Sequence, residues 1–356
     1  VNEYNSFSKT KILAHKVNLD KIVDGNFMPP YCVCTDPSNK CNQNCVYCNS
    51  KCFNNNTKNV LMPKGHLLRL ADFYKDWNIQ STIIEGGGEP LLNPEVYDFI
   101  KKLTKYDIEY GIITNGSMLG LNCNTDLIVN TARFIGISFD SACSETYKKI
   151  RGVDNFNIVC DNVEYINKKR IENNSTVDVN LKMLIHEYNY NEIYSFVKLC
   201  KELGCSGAHI KPVAFENVKG IQSFDLSLLI EKIKEQLEKT KELEDDNFSV
   251  YSIMYKFGDN LETVRKFSDC QCTPIGGVFS ADGNFYLCFN MRGENGFVLE
   301  SHYPDPNNIK RIWGGQHHKK LISQIDTKKC MRCGLTAYNE IIENCIKKDK
   351  LFWKFL

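Results

Sequence analysis

Within residues 40–52, KCNQNCVYCNSKC, Cys41, Cys45 and Cys48 are separated by three and then two residues, and Cys52 follows. Thiolates on one short loop bind soft metals. A structural zinc site normally takes four ligands, in pairs spaced two to four residues apart. Three thiolates on a single loop suit an iron–sulfur cluster better, because such clusters are held by cysteine sulfur. Three ligands for four irons leave one iron open, much as a catalytic zinc keeps an open position. A second set, Cys270, Cys272, Cys288, Cys330, Cys333 and Cys345, gathers near the other end of the chain.

Composition narrows what these thiols do. The chain has 356 residues and a formal net charge of +1, which advertises neither a nucleic-acid nor a membrane partner. No apolar run reaches the roughly 20 residues of a membrane span. The opening stretch VNEYNSFSKTK lacks a signal-peptide apolar core, so a cytoplasmic location is expected. Seventeen cysteines is an odd number, and a reducing compartment disfavours structural disulfides. Clustered thiols then read as metal ligands. Cys32 and Cys34 share one side of a strand and read as core, Cys160 and Cys200 as helix core, and Cys52 as a spare thiol. Cys123, Cys143 and Cys205 have no partner by sequence.

The first cysteine loop must be held by something. Strand candidates fall at 31–37, 81–86, 108–116, 133–140, 177–185 and 208–213, with helix-period segments between them. Asn93-Pro94 reads as a helix start. Ile193, Phe196, Val197 and Cys200 keep one helical face, and Gly204 stops that helix. Strands alternating with helices give parallel βα units, whose chemistry sits at the C-terminal strand ends. The expected fold is α/β: a partial (β/α)6 barrel, followed by a small α+β domain containing a hairpin. The expected divisions are an N-terminal extension (1–29), the barrel core (30–213), a helical connector (214–266) with Leu226, Leu229, Ile230, Ile233 and Leu237 on one face, and the small domain (267–356).

The Cys41-x3-Cys45-x2-Cys48 loop, with Tyr47 before its last cysteine, resembles the cluster loop of the radical SAM superfamily. Gly86-Gly87-Gly88-Glu89-Pro90 after the second strand resembles that family's GGEP motif. Thr114-Asn115-Gly116, Ser138, Asp140 and ETYKKIRG (145–152) follow in the family's order. The resemblance implies a [4Fe–4S] cluster on Cys41, Cys45 and Cys48 that binds S-adenosyl-L-methionine (SAM). It implies SAM contacts from Tyr47, Gly87, Gly88, Glu89, Pro90, Asn115, Ser138 and Arg151, with Ser138 and Arg151 toward the ribose and carboxylate. It implies reductive cleavage of SAM to a 5′-deoxyadenosyl radical that abstracts a substrate hydrogen, with flavodoxin or ferredoxin as electron donor.

CQCTPIGGVFSADGNFYLC (270–288), with Cys330-x2-Cys333, resembles the SPASM and twitch domains appended to many such enzymes. The resemblance implies one auxiliary [4Fe–4S] cluster on Cys288, Cys330, Cys333 and either Cys270 or Cys272, with the spacing favouring Cys270. The longer SPASM form has two further cysteines where this chain has Asn339 and Glu343, so the four-ligand twitch form fits better. A structural zinc site on the same residues is the alternative. A second cluster would accept an electron and complete a two-electron oxidation, a dehydrogenation. If Cys272 or Cys345 instead returned a hydrogen from its thiol, the enzyme would be an epimerase. A peptide maturase forming a thioether or other crosslink, and a degenerate fold serving for binding or electron transfer, are the remaining alternatives. Only 40 residues precede Cys41, so no peptide leader-binding module is expected ahead of it, although a separate protein could supply one. The substrate is expected to be a small polar molecule or a peptide, met by Asp140, Lys182, His209 or Lys211 at the strand ends. His317-His318 reads as surface.

Overall fold

The computed structural model describes residues 9–48, 59–120, 123–213, 229–252, 267–330 and 333–347. Cys52, Leu226, the side chain of Cys123 and the connector stretches 214–228 and 253–266 lie outside the described residues. The six expected strands are present: β1 (Cys32–Thr35), β2 (Ser81–Ile84), β3 (Glu109–Thr114), β4 (Phe134–Ser138), β5 (Asp178–Ile185) and β6 (Gly207–Pro212). They pair in sequence order, and every pairing is parallel. The helices are α1 (Lys16–Val23), α2 (His66–Asp76), α3 (Val96–Lys105), α4 (Cys123–Thr131), α5 (Ser144–Arg151), α6 (Phe156–Glu172), α7 (Ile193–Glu202) and α8 (Ile230–Thr240).

Helix α7 buries Ile193, Phe196, Val197 and Cys200, and Gly204 follows at φ +76°. Helix α3 begins at Val96, two residues later than Pro94 suggests. Asn93 makes a tighter link instead: its amide donates to the carbonyls of Pro37 and Met62, and its Oδ1 accepts from the Glu95 amide. The chain entering α3 is thereby tied to the segment after β1.

Two features of the sheet have no strong signal in the sequence. A seventh parallel strand, β7 (Ser249–Ser252), extends β6. The expected hairpin forms as β8 (Val278–Phe279) and β9 (Asn284–Tyr286), and β10 (Val298–Ser301) pairs antiparallel with β9. Strand β8 pairs parallel with β1, so the hairpin continues the barrel's own sheet, and the ten strands among the described residues form one order, β10-β9-β8-β1-β2-β3-β4-β5-β6-β7. Helices α9 (Asn307–Ile312), α10 (Gln316–Ser323) and α11 (Thr336–Ile341) follow.

Strand alternation places Ile135, Ile137, Val179, Leu181 and Met183 outward, fully buried against the helices. Each such side chain contributes about 1.5–3 kcal/mol. The inner face is different. Neighbouring strands lie about 4.8 Å apart, so β2 and β6 would be about 19 Å apart on a flat sheet. Glu85 at the end of β2 nevertheless acts on the charge of both Lys182 (β5) and Lys211 (β6). The sheet therefore curls around a polar lumen. Cys32 and Cys34, expected in the apolar core, face this lumen: Val33 between them packs outward, and the Cys34 thiol lies beside Glu85 and Arg292. His318 is corrected too. It is fully buried, edge-on to Phe27, and its Nδ1 accepts from the Gly314 amide, whereas His317 stays at the surface.

Candidate functional site

The loop carrying Cys41, Cys45 and Cys48 leaves the C-terminal end of β1 and is pinned on two sides. On one side lies the glycine turn after β2. Gly88 N donates to Ser38 O at 2.9 Å, and Glu89 N donates to Lys40 O at 2.9 Å. A Cβ on Gly88 would sit 2.0 Å from the Lys40 carbonyl oxygen, a backbone clash with no flexible atom to move. On the other side lies the end of α5. The Asn44 and Val46 amides donate to Arg151 O and Ile150 O, each at 3.0 Å. Gly152, at φ +70°, lets the Asn44 carbonyl come within 2.7 Å of where a Cβ would stand. A third clamp comes from β3: Asn115 Nδ2 donates to Asn42 Oδ1 at 2.8 Å, and Asn42 Nδ2 donates to Ser117 Oγ at 2.9 Å.

These clamps bring Cys41, Cys45 and Cys48 together. Burial pushes the Cys41 thiol up to about 11, and the neighbouring Cys45 and Cys48 add to the effect. Burial also raises Cys45, and Arg151 opposes it: the guanidinium NH1 lies 3.5 Å from Cys45 Sγ. Arg151 is buried in an ion pair with Asp140. Asp140 is itself in the left-handed region at φ +70°, which a non-glycine residue adopts at a cost of order 1–3 kcal/mol. Leu184 N donating to its Oδ1 at 2.6 Å and Asn189 Nδ2 donating to its carbonyl at 2.7 Å hold it there.

The other expected SAM contacts are placed as follows. Glu89 is buried, and its carboxylate braces the turn: Oε1 accepts from Leu91 N and Thr114 Oγ1, and Oε2 accepts from Asn115 N at 2.8 Å. Burial raises its pKa and these bonds oppose that. Gly87 and Pro90 are buried in the same turn. Tyr47 is 5% exposed, with its ring 5.3 Å from that of His186. Ser138 ends β4, in register with Lys182. All of these groups border one end of the lumen.

The second thiol set assembles from three chain segments. Burial pushes Cys270 up to about 11 and Cys288 up to about 12, and each feels Cys330 and Cys333. Cys272 lies near the same thiols, but it is 2% exposed in an apolar cluster with Ile12, Leu19 and Ile342, and its Sγ lies 3.9 Å from Leu335 O. Cys345 is exposed. At the positions where the longer family form has cysteine, Asn339 Oδ1 accepts from Gln271 N at 2.7 Å, and Glu343 accepts from Ser268 N at 2.9 Å and from Ser268 Oγ at 3.0 Å. These side chains hold the Cys270 loop in place. Among the described residues, no three His, Cys, Asp or Glu side chains converge tightly enough for a single metal ion. Thiols are the donors that iron–sulfur clusters take.

Arg292, four residues past Cys288, joins the two halves. Its Nε and NH2 hold Asp36 at 2.5 and 3.1 Å, its NH2 holds Glu85 Oε1 at 2.6 Å, and its NH1 donates to Phe289 O at 2.6 Å. Sequence reasoning missed Arg292, Asp36, Glu85, Asn42 and His186. The signal for two of them was present: Cys32, Cys34 and Asp36 alternate along β1, and Glu85 ends β2. Fully buried parallel strands read as continuous apolar runs, so polar residues at every second position mark a polar lumen. Of the expected substrate contacts, Lys182 and Lys211 face the lumen, His209 is buried on the same face, and Asp140 is held by Arg151.

The sequence profile of the radical SAM superfamily matches residues 35–200. The GTP 3′,8-cyclase of Clostridium perfringens (strain 13 / Type A) is 27% identical over 262 residues, covering 72% of this chain and 79% of that relative. Among solved structures, SuiB of Streptococcus suis bound to precursor peptide SuiA matches with TM-score 0.66 and 16% identity, over 95% of this chain and 77% of that one. The anSMEcpe protein with bound AdoMet and Cp18Cys peptide matches with TM-score 0.60 and 16% identity, over 88% of each chain. Both likenesses are likenesses of fold. Among the described residues no helix is long and apolar enough to cross a membrane. The matched profile, the relatives and the ordered motifs agree: residues 35–200 carry a radical SAM domain, and the chain is an enzyme.

Proposed function

We propose that this enzyme removes two electrons and two protons from a polar substrate held in the barrel lumen. The observation that supports this most is the Arg292 link. Cys288 lies four residues before Arg292, a span of at most about 14 Å of extended chain, and Arg292 rests on the lumen carboxylates Asp36 and Glu85. An electron acceptor on the C-terminal thiols would therefore lie beside the substrate.

The residues divide the work. Cys41, Cys45 and Cys48 would hold a [4Fe–4S] cluster, which when bound supplies the electron that splits SAM and so the radical that takes a substrate hydrogen. Cys270, Cys288, Cys330 and Cys333 would hold a second cluster, which supplies an acceptor for the remaining electron. Arg151, on Asp140, presents positive charge beside Cys45 and toward a carboxylate of SAM. Glu89 and Asn115 fix the glycine turn that SAM would approach. The lumen walls exclude water and orient the substrate.

A relative named for GTP and neighbours solved with peptides point to different substrates, so the reading stops at a polar molecule or peptide. The test is anaerobic incubation of reconstituted enzyme with SAM, dithionite and a deuterium-labelled metabolite or peptide extract. Deuterium in 5′-deoxyadenosine, with a product two hydrogens lighter, supports the reading. 5′-Deoxyadenosine that never carries deuterium counts against it. A second reading, hydrogen return by a thiol, is favoured by one observation: Cys34, one of two lumen-facing thiols, is kept protonated by burial beside Glu85, whereas Cys272 sits in an apolar cluster. Solvent deuterium in the product, lost in Cys34→Ala, would select it.

A further inference from the structure

We propose that Lys182 and Lys211 form a recognition site for an anionic group on the substrate, a carboxylate or a phosphate, inside the barrel. This rests on the reading of the lumen as the substrate site. Lys182 on β5 pairs with His209 on β6, and Lys211 stands two residues further along β6. The two lysines are diagonal neighbours on the inward face of a parallel pair, a relation that puts their Cα atoms about 8 Å apart. Ammonium groups on such neighbours can reach one oxyanion together.

The other charges at this end of the lumen are already matched. Arg292 is held by Asp36 and Glu85, and Arg151 by Asp140. Among the described residues, neither lysine nitrogen has an ion-pair or hydrogen-bond partner. The fourth carboxylate there, Glu89, is taken up by Thr114 Oγ1 and the Leu91 and Asn115 amides, so Lys182 and Lys211 are left with no carboxylate of their own among the described residues. Burial, and after it the neighbouring Lys211, lower the pKa of Lys182 to about 8, with Glu85 opposing; burial lowers that of Lys211, with Glu85 and Asp140 opposing. An arriving anion would give both ammonium groups a charge-assisted partner.

The barrel also makes room for the pair. A Cβ on Gly136 would lie 2.6 Å from Lys182 Cε, so the lysine stem crosses the lumen directly over β4 at its glycine. Lys211 keeps accessible surface at the mouth. The site is therefore walled by the strands and reachable from the end where the cysteine loop lies.

The test is calorimetric titration of the anaerobically reconstituted enzyme, saturated with SAM so that an open iron does not take the probe. Inorganic pyrophosphate is the probe in one arm and succinate in the other. Saturable binding is expected in one arm and identifies the anion class. Lys182→Gln and Lys211→Gln should each weaken it by about tenfold or more, the worth of one charge-assisted contact. Gly136→Ala, which removes no charge, should weaken it by displacing Lys182. Lys198→Gln, on the outer face of α7 beside Glu202, should leave it unchanged. Unfolding temperatures unchanged from wild type establish that the lysine variants fold. Absence of saturable binding in both arms, or binding that the lysine variants leave intact, would overturn the proposal. SAM cleavage under dithionite is measured alongside. Cleavage without anion binding overturns this proposal alone, and anion binding lost in the lysine variants but without SAM cleavage supports it while removing the functional reading.

Discussion

Replacing Arg292 with methionine should destabilise the protein in a pH-dependent way. The guanidinium is 11% exposed and holds two carboxylates, of which Asp36 has no accessible surface. Breaking a buried pair by removing one partner costs about 3–5 kcal/mol, because the abandoned charge remains buried. At about 2.1 cal/mol/K per residue, unfolding a chain of this length carries an entropy near 0.75 kcal/mol/K, so the melting temperature should fall by about 4–7 °C at pH 8. The sign with pH follows from linkage. Burial already raises Asp36 to about 6, with Arg292 lowering and Glu85 raising it, and Arg292 holds Glu85 below the usual carboxylate range. Without Arg292 both native values rise above those of the unfolded chain. The folded variant then binds more protons than the unfolded one between about pH 4 and the raised values, so its stability falls as pH climbs through that window. The deficit should be largest at pH 8 and shrink to about 2 °C or less at pH 6. Adding Asp36→Asn and Glu85→Gln to Arg292→Met should recover most of the loss at pH 8. The assay is thermal unfolding of the reconstituted protein at one scan rate. A deficit equal at both pH values and not rescued by the amide pair would refute the reasoning, since a loss of packing alone would behave that way.

Other outcomes follow from single contacts. Gly88→Ala forces a Cβ against the Lys40 carbonyl and should abolish iron loading of the first thiol set, read as a loss of about four irons per chain and of SAM cleavage, with the fold retained by circular dichroism. Cys270→Ala should remove the second set's iron and Cys272→Ala should keep it, because Cys272 is sequestered among Ile12, Leu19 and Ile342; the opposite pattern would reassign the ligand. Glu343→Ala leaves the Ser268 amide and hydroxyl without their acceptor and should destabilise the Cys270 loop by about 1–3 kcal/mol, measured as faster iron loss to a chelator. Lys182, lowered to about 8 by burial and Lys211 with Glu85 opposing, should lose its charge as pH passes 8, so anion affinity measured by calorimetry should fall between pH 7 and 9 while Lys182→Arg holds it constant.

Much of the barrel was legible because its strands are short apolar runs set off by glycine, asparagine and helical periods. Residues 81–84, 109–114 and 134–138 are found where alternation and turn residues put them. The thiol loop was legible because metal ligands are few in kind and fixed in spacing. What the sequence hid was set by tertiary contact. β7 reads SVYS, too short and polar for a strand signal, and it forms because β6 offers it an edge. The continuity of β8 with β1 depends on two distant segments meeting. Cys34 looked like core because a strand's two faces cannot be told apart until the sheet curls. His318 looked like surface because its burial comes in part from Phe27, remote in sequence, which packs on it together with the nearby Trp313. Arg292 lies in the irregular stretch MRGENG, whose local pattern does not indicate that it reaches Asp36, 256 residues away.

The central claim is that two separate thiol sets each hold a cluster around one lumen. Iron and sulfide content after anaerobic reconstitution tests it most directly, comparing the wild type with the Cys41/Cys45/Cys48→Ala triple variant. The account predicts that the variant keeps about four irons and four sulfides while losing SAM cleavage. A variant stripped of iron, or one holding zinc at Cys270, Cys288, Cys330 and Cys333, would contradict it.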